Sequence, residues 1–289
     1  MSFADRLAAD AAQVERRLQV AVAALPDSAV RQAMGYAATG GKRLRGFLVL
    51  ESARLHDVPP EAALDAAAAI EALHAYSLVH DDLPCMDDDD LRRGQPTVHV
   101  KWDEATAVLT GDALQTLAFE LLAGAEALEP RARLALIGSL AVASGAAGMV
   151  LGQAQDIAAE TAAAPLELDD ITALQAAKTG ALIGWAACAG PRMAGADTAP
   201  LAGYARALGL AFQIADDILD VEGDTDATGK RVGKDASAGK ATFVSLMGLD
   251  AARARAHELV SVAQNALAPY GPAADPLRAA ARFVVARDR

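Results

Sequence analysis

The sequence has 289 residues, a formal net charge of −12 and two cysteines, Cys85 and Cys188. The acidic balance argues against nucleic acid and anionic membrane surfaces as main partners, and two cysteines make no disulfide framework and fit a reducing cytosol. No apolar signal core lies near the N-terminus, and the longest mostly apolar stretch, residues 137–151, is shorter than the ~18 residues of a membrane span, so we expect a soluble cytoplasmic protein.

The composition predicts an all-α protein. Alanine and leucine are abundant, aromatic residues make up only 4% of the chain, and few runs resemble strands. The stretches that contain proline and glycine are typical of helix connections, and none divides the chain. We therefore expect one large helical bundle with a single domain over residues 1–289.

The first elements are an amphipathic helix and a basic turn. Residues 3–24 carry apolar side chains at the helical period and precede Pro26. After Gly40-Gly41, the three-residue spacing of Lys42 and Arg45 predicts a basic face on the first turn of a helix, where backbone N–H groups also favour anions. An ordinary basic surface turn is the alternative. A P-loop is excluded because neither serine nor threonine follows Lys42.

The next helix leads into a strongly acidic segment. Pro84 disfavours helical backbone at Leu83, so the helix should end at Asp81 or Asp82. Six acids lie within residues 81–90, and they repel one another by roughly 1 kcal/mol per close pair in water. The C-terminus of a helix disfavours anions further. The segment therefore indicates a bound cation, and oxygen ligands with room for water suit Mg²⁺.

Basic side chains flank this acidic segment. His74 lies about two turns before Asp81 and is either a core histidine or a ligand-binding group. Arg92 and Arg93 follow the acids, and they either neutralise the carboxylates or bind a diphosphate through their bidentate guanidinium groups.

The middle of the chain predicts two long core helices, over residues 103–128 and 131–160, the second with a polar end at 153–156. An aspartate at 169 or 170 then caps a helix that carries Lys178-Thr179-Gly180 into an apolar run. A lysine in such surroundings either extends to solvent or pairs with an anion.

A second acidic cluster lies in residues 212–220. Asp216 and Asp220 share a helix face, with Gln213 one turn earlier, and like charges at this spacing destabilise a bare helix. A second cation site is indicated, and a solvated acidic face is the alternative. Residues 222–242 contain four glycines and three lysines, which predicts either a loop that closes over phosphates or a solvated linker. Residues 243–289 return to helix.

Together these motifs resemble the trans-polyprenyl diphosphate synthases, most closely the bacterial members that make farnesyl diphosphate. The resemblance covers nearly the whole chain. The matching motifs are Gly-Gly-Lys-Arg-Leu-Arg at 40–45, Asp-Asp-x4-Asp at 81–87, Arg-Arg-Gly at 92–94, Gly-Asp at 111–112, Lys-Thr-Gly at 178–180, Asp-Asp-x2-Asp at 216–220, and Gly-Lys at 229–230 and 239–240.

The resemblance implies the all-α isoprenoid-synthase fold, a homodimer, and a deep cavity with the two Asp-rich motifs facing each other across its mouth. It implies Mg²⁺-assisted, head-to-tail condensation of isopentenyl diphosphate with an allylic diphosphate. The implied metal ligands are Asp81 and Asp87 on one wall and Asp216 on the other, supported by Asp82, Asp217 and Asp220. The implied ligands of isopentenyl diphosphate are Lys42, Arg45, His74 and Arg93. Those of the allylic diphosphate are Arg92, Lys178, Lys230 and Lys240. Thr179 and Gln213 would lie beside the allylic carbon, where positive charge develops.

The implied chemistry accounts for these residue types. Diphosphate leaves only when its growing charge is neutralised, and the allylic cation must be kept from water. No nucleophilic serine or cysteine is needed, and the released diphosphate is the expected proton acceptor. A terpene cyclase and a head-to-head condensing enzyme are alternatives that the intact second motif and the acid spacing disfavour. A non-catalytic partner subunit is expected to have lost the metal-binding acids, which are all present.

Product length depends on residues before the first Asp-rich motif. Tyr76 lies five positions before Asp81, roughly 7.5 Å along the helix, and a bulky aromatic residue there resembles the farnesyl pattern. By the helical period, however, Tyr76 points about 140° away from Asp81, whose face carries the small Ser77. We expect Tyr76 to limit chain length, helped by Leu73 or the partner subunit, and the product to be farnesyl diphosphate. Geranylgeranyl diphosphate is the alternative product, and an ordinary core aromatic is the alternative role.

Overall fold

The structure is a computed structural model that describes residues 1–161, 166–222 and 241–286. The described chain is mostly helical, which confirms the predicted all-α class. The α-helices are α1 (Phe3–Ala23), α2 (Ala29–Ala37), α3 (Leu44–Arg54), α4 (Pro60–Asp81), α5 (Val98–Lys101), α6 (Glu104–Ala123), α7 (Pro130–Ser144), α8 (Met149–Glu160), α9 (Leu168–Gln175), α10 (Ala181–Ala187), α11 (Ala189–Ala194), α12 (Ala199–Glu222), α13 (Phe243–Met247), α14 (Leu249–Ala266) and α15 (Asp275–Ala286). The other elements are a π-helix (Ala176–Gly180), a 3₁₀-helix (Ala268–Ala274) and an antiparallel hairpin of β1 (Leu91–Arg92) and β2 (Gln95–Pro96).

Side-chain caps explain where several helices begin. At α6, the Asp103 carboxylate accepts from the Thr106 N–H at 2.6 Å. Glu167, and not Asp169 or Asp170, is the N-cap of α9, where Asp170 completes a capping box. The predicted cap was therefore wrong. Both aspartates lie instead in the first turn, where the helix dipole favours their charge.

The chain packs as two compact units, residues 1–138 with 189–196, and residues 139–188 with 197–289. In the first unit, α4 is the central helix and packs against α6, α3 and α1. All of its residues 66–73 are buried, and most of them are alanine, which lets neighbouring helices approach closely. The helix ends at Asp81, with Asp82 as its C-cap, as Pro84 predicts. The first acidic segment is thereby fixed to the end of a core helix.

In the second unit, α12 is the central helix and packs against α14, α10 and α15. The buried Tyr204 hydroxyl donates to the Leu277 carbonyl at 2.8 Å and joins α12 to α15. Leu208 and Ile214 are also buried. This packing carries the second acidic cluster on the C-terminal half of a core helix. The single-domain assignment of residues 1–289 stays a prediction.

The two long helices predicted for the middle of the chain are shorter in the structure. The helix predicted over 103–128 ends at Ala123, with Gly124 as its C-cap. The helix predicted over 131–160 breaks between Ser144 and Met149. At Gly148 an added Cβ would lie 2.1 Å from the Ala143 carbonyl oxygen, so the break depends on glycine.

The helices on either side of this break are also not core helices throughout. Leu134 and Val142 of α7 are 69% and 62% exposed, and Val150 of α8 is exposed as well. By length and composition alone, the stretch Pro130–Ala159 could span a membrane, as could Pro60–Asp81. The apolar stretch around residues 137–151 is thus longer than the sequence suggested. In the most apolar 18-residue window of each stretch, the buried share is 72% for Pro60–Asp81 and 28% for Pro130–Ala159. Core helices also meet this criterion, which is weak by itself.

Candidate active site

Two glycines shape the loop before α3. Gly40 and Gly41 have φ of +76° and +84°, which glycine adopts without strain. An added Cβ at Gly41 would lie 2.7 Å from a guanidinium nitrogen of Arg93, so this position also needs glycine to admit the arginine. The predicted loop-to-helix transition is confirmed. Its register differs from the prediction, because α3 starts at Leu44 and Lys42 lies before the first turn.

The basic residues of this loop have different environments. Arg43 is buried and lies 3.5 Å from Glu71 and 3.7 Å from Glu15, so its charge is balanced within the core. Lys42 is exposed and Arg45 is half-buried. Of the three side chains, these two are therefore the more accessible.

His74 lies among arginines. Burial lowers the pKa of His74 well below its usual value, and the nearby positive charges of Arg45, Arg93, Arg92 and Arg43 lower it further. The imidazole is thus neutral near pH 7. The structure brings His74 into the same positive field as Arg45 and Arg93, as the ligand-binding interpretation requires.

A short β-hairpin carries Arg92 and Arg93, and the sequence analysis did not predict it. Leu91 pairs with Pro96, and Arg92 pairs with Gln95. The two linking residues, Arg93 and Gly94, have φ of +53° and +72°, which is typical of a type I′ turn. The only local signal was Gly94, and strands of two residues are too short to show alternation.

Two long-range contacts anchor the hairpin. The Tyr36 hydroxyl donates to the Pro96 carbonyl at 2.7 Å, and the Arg93 guanidinium donates to the Thr39 carbonyl at 3.0 Å. The hairpin is therefore held against α2 and the glycine loop. This attachment holds the Arg93 guanidinium beside Gly41, the residue before Lys42.

The first acidic segment contains one carboxylate that is already paired. Asp82 is 3% exposed, and the Arg92 Nε donates to its two carboxylate oxygens at 2.7 and 2.9 Å, with a further contact from Nη2. Burial raises the pKa of Asp82, and the Arg92 guanidinium opposes that shift. Asp81 is half-buried and Asp87 is exposed. The acids of this segment therefore have unequal access to a metal.

The segment after α4 folds back on the end of that helix. The Asp87 N–H donates to the Asp81 carbonyl at 2.8 Å, and the Asp89 N–H donates to the Asp82 carbonyl at 3.2 Å. Among the described residues, no group of three or more His, Cys, Asp or Glu side chains forms a preorganised metal site. Mg²⁺ commonly takes only one or two protein carboxylates and completes its shell with water and substrate phosphates. Carboxylates on a fixed backbone fit that mode of binding.

A cavity of about 510 Å³ lies between α2, α4 and the hairpin. Ala75, Leu78 and Val79 form its apolar wall, and Arg92 and Arg93 are among its polar lining residues. Such a cavity, with apolar walls and convergent cations, suits a small molecule with an anionic head and a hydrocarbon tail.

In the second unit, Lys178 and Thr179 lie in the π-helix. The Lys178 ammonium donates to Asp156 at 2.7 Å. Gly152 of α8 permits close packing, since an added Cβ would lie 2.2 Å from the backbone nitrogen of Lys178. From the sequence, Asp156 was predicted only to lie at the polar end of a helix. Its partner could not be read from the sequence because 22 residues separate the two side chains.

In the second acidic cluster, two side chains contact residues that are distant in sequence. The Gln213 amide donates to the Gln175 side-chain oxygen at 2.7 Å, a contact that the sequence analysis missed. Asp217 accepts from the Phe243 N–H at 2.7 Å, at the N-terminus of α13. Asp216 is exposed and Asp220 half-buried. The predicted residues Lys230 and Lys240 lie outside the described residues.

The comparisons with known proteins agree with this geometry. Residues 27–268 match the polyprenyl synthetase family model. The farnesyl diphosphate synthase of Escherichia coli is 45% identical, with both chains fully covered. A crystal structure described as an FPP/GFPP synthase from Zymomonas mobilis superimposes with a TM-score of 0.90 at 47% identity, covering 98% of this chain and 99% of that one. A geranyltransferase from Helicobacter pylori, complexed with magnesium and isoprenyl diphosphate, gives 0.81 at 35% identity and covers 95% of each chain.

The chain therefore belongs to the polyprenyl synthetase family. Within that family its full-length relatives include bacterial farnesyl diphosphate synthases, so the predicted family, isoprenoid-synthase fold and prenyltransferase function are confirmed.

Proposed function

We propose that this protein joins isopentenyl diphosphate head-to-tail to dimethylallyl and then geranyl diphosphate, giving farnesyl diphosphate. The observation that carries the proposal is the cavity in which Arg92 and Arg93 face an apolar wall, next to the acidic segment that ends α4. Full-length similarity to farnesyl diphosphate synthases supports the same reaction. A geranylgeranyl product remains the alternative because these groups handle only the diphosphate.

The carboxylates of the two acidic clusters fit Mg²⁺. Asp81, Asp87 and Asp216 would hold it, with Asp220 in support, because they supply the hard oxygen ligands that this ion prefers. When bound, Mg²⁺ supplies the positive charge that neutralises the leaving diphosphate. Asp82 is paired with Arg92, and Asp217 accepts a hydrogen bond from the Phe243 N–H. We assign these two acids to positioning their segments.

The basic groups would bind the two diphosphates. Lys42, Arg45, neutral His74 and Arg93 would hold isopentenyl diphosphate, and the histidine would donate a hydrogen bond without adding charge. For the allylic diphosphate we propose Lys178, together with Arg92, Lys230 and Lys240. Arg92 would contribute its remaining N–H groups while it pairs with Asp82.

Gln213 and Thr179 would face the carbon that becomes positively charged. The Gln213 amide donates to Gln175, which orients the Gln213 carbonyl oxygen as a partner for positive charge. Such fixed dipoles stabilise charge without reorganisation during the reaction. The bound hydrocarbon and apolar walls would exclude water, which otherwise captures the cation.

We also propose that the protein is a homodimer. Leu134 and Val142 on α7, and Val108 and Leu109 on α6, are large apolar side chains exposed on the described chain. Exposed apolar surface of this kind marks association sites, and isologous dimers are the commonest assembly. Light scattering should show a dimer, and Leu134→Glu with Val142→Glu should give a monomer. A monomeric parent protein would contradict the proposal.

Steady-state assays with Mg²⁺, isopentenyl diphosphate and each allylic diphosphate test the function. We expect farnesyl diphosphate by chromatography, and a loss of roughly 10²–10³-fold in kcat for Asp81→Ala and Asp216→Ala, with unchanged helical circular dichroism. Asp90→Ala, on the same exposed segment, is the matched control and should stay near the parent rate. A parent protein without turnover would favour the non-catalytic subunit, and near-normal Asp81→Ala turnover would contradict the metal assignment.

A further inference from the structure

Tyr76 packs against the side chain one helical turn ahead of it. Its ring centroid lies 5.7 Å from that of His80, and the two rings are nearly perpendicular, at 87°. Tyr76 is 6% exposed. Edge-to-face packing of this kind restricts rotation of the phenol ring about its side-chain bonds.

His80 is itself fixed by α6. Its Nε2 lies 3.0 Å from the Val108 carbonyl oxygen, and a carbonyl can only accept, so Nε2–H is the donor. Gly111, one turn further along α6, makes room for the ring. An added Cβ there would lie 2.0 Å from Nε2 and 2.3 Å from Cδ2 of His80. The imidazole is thus inserted into a notch that only glycine leaves open.

The Tyr76 phenol also responds to Gln115, on the next turn of α6. Burial raises the pKa of Tyr76, a hydrogen bond with the Gln115 side chain lowers it, and the Asp81 charge raises it. Gln115 lies four residues after Gly111, on the same face of α6. Tyr76 is therefore held at its ring by His80, and Gln115 is close enough to the phenol to lower its pKa.

We propose that His80, Gly111 and Gln115 position the Tyr76 ring and thereby set product chain length. The proposal rests on the proposed prenyl-chain elongation, in which Tyr76 limits the growing tail. About the axis of α4, Tyr76 points roughly 140° away from Asp81. The helix period therefore does not determine where the ring lies, and the contacts with α6 fix its orientation. His80, Gly111 and Gln115 are positioning residues, because they act through Tyr76.

The first test removes the contact between His80 and the Tyr76 ring. His80→Ala should raise the ratio of C20 to C15 products roughly two- to tenfold, the range that corresponds to one lost edge-to-face contact. His80→Phe retains a ring edge and should keep the parent ratio more closely. Thr116→Ala, exposed on the same turn of α6 as Gln115, is the control and should leave the products unchanged.

The second test asks whether Gln115 acts through the phenol. Gln115→Leu should lengthen products in the parent but have no further effect in Tyr76→Phe, which lacks the hydroxyl. This double-mutant cycle remains informative if His80→Ala does not fold. An ordinary structural role would lower stability or rate without changing the product ratio.

The outcomes separate the inference from the function on which it rests. If the parent makes farnesyl diphosphate and both His80→Ala and Gln115→Leu keep its chain length, the inference is overturned and the proposed function stands. If Tyr76→Ala does not lengthen the products, the inference is likewise overturned. If the parent forms no prenyl diphosphate, both are overturned.

Discussion

Replacing Arg92 by methionine should destabilise the protein strongly. Three contacts run from Arg92 to the Asp82 carboxylate, and the Asp82 side chain is only 4% exposed. Without Arg92, a buried carboxylate loses its counter-charge. Breaking a buried pair from one side costs about 3–5 kcal/mol, because the remaining charge stays desolvated.

Urea unfolding at pH 7, in chelator and without substrate, measures this cost. The control is Arg255→Met, which removes a 2.6 Å ion pair with Glu258 whose side chains are 42% and 62% exposed. Such a surface pair is worth at most about 1 kcal/mol. Asp82→Asn combined with Arg92→Met should recover much of the loss, since no buried charge remains. A deficit for Arg92→Met no larger than that of Arg255→Met would refute the reasoning.

Three further predictions concern pH and substrate binding. Burial holds the pKa of His74 well below 6.5, so at acidic pH the unfolded chain binds a proton there and the native protein does not. The free energy of unfolding should therefore fall below pH 6.5, by up to about 1.4 kcal/mol per pH unit. In urea unfolding, His74→Gln should show a smaller fall. Asp156→Asn should raise the KM for the allylic diphosphate several-fold, because Lys178 loses the partner that orients it, and should leave the KM for isopentenyl diphosphate unchanged. A lower KM for the allylic diphosphate would show instead that the carboxylate competes with substrate. Tyr36→Phe should raise the isopentenyl KM, because the hairpin that carries Arg93 loses a hydroxyl anchor, and an unchanged KM would remove Tyr36 from the positioning of that arginine.

Local sequence determined the helices and the candidate chemical groups. Apolar periodicity placed α1, and Pro84 placed the end of α4 at Asp81 or Asp82, because these signals act within a few residues. The helical period likewise put Asp216 and Asp220 on one face of α12. The identity of the acids and bases was visible for the same reason: it requires no knowledge of their neighbours.

Only the tertiary structure decided which of these groups are paired. Arg92 binds Asp82, Lys178 binds Asp156 and the Gln213 amide donates to Gln175, across separations of 10 to 38 residues. The notch at Gly111 that admits His80 is another such contact. Side-chain pairing depends on how helices pack and on which charges lose water together, and neither is encoded in a local pattern. The sequence by itself therefore determined what the site contains, and packing decided how its side chains are paired.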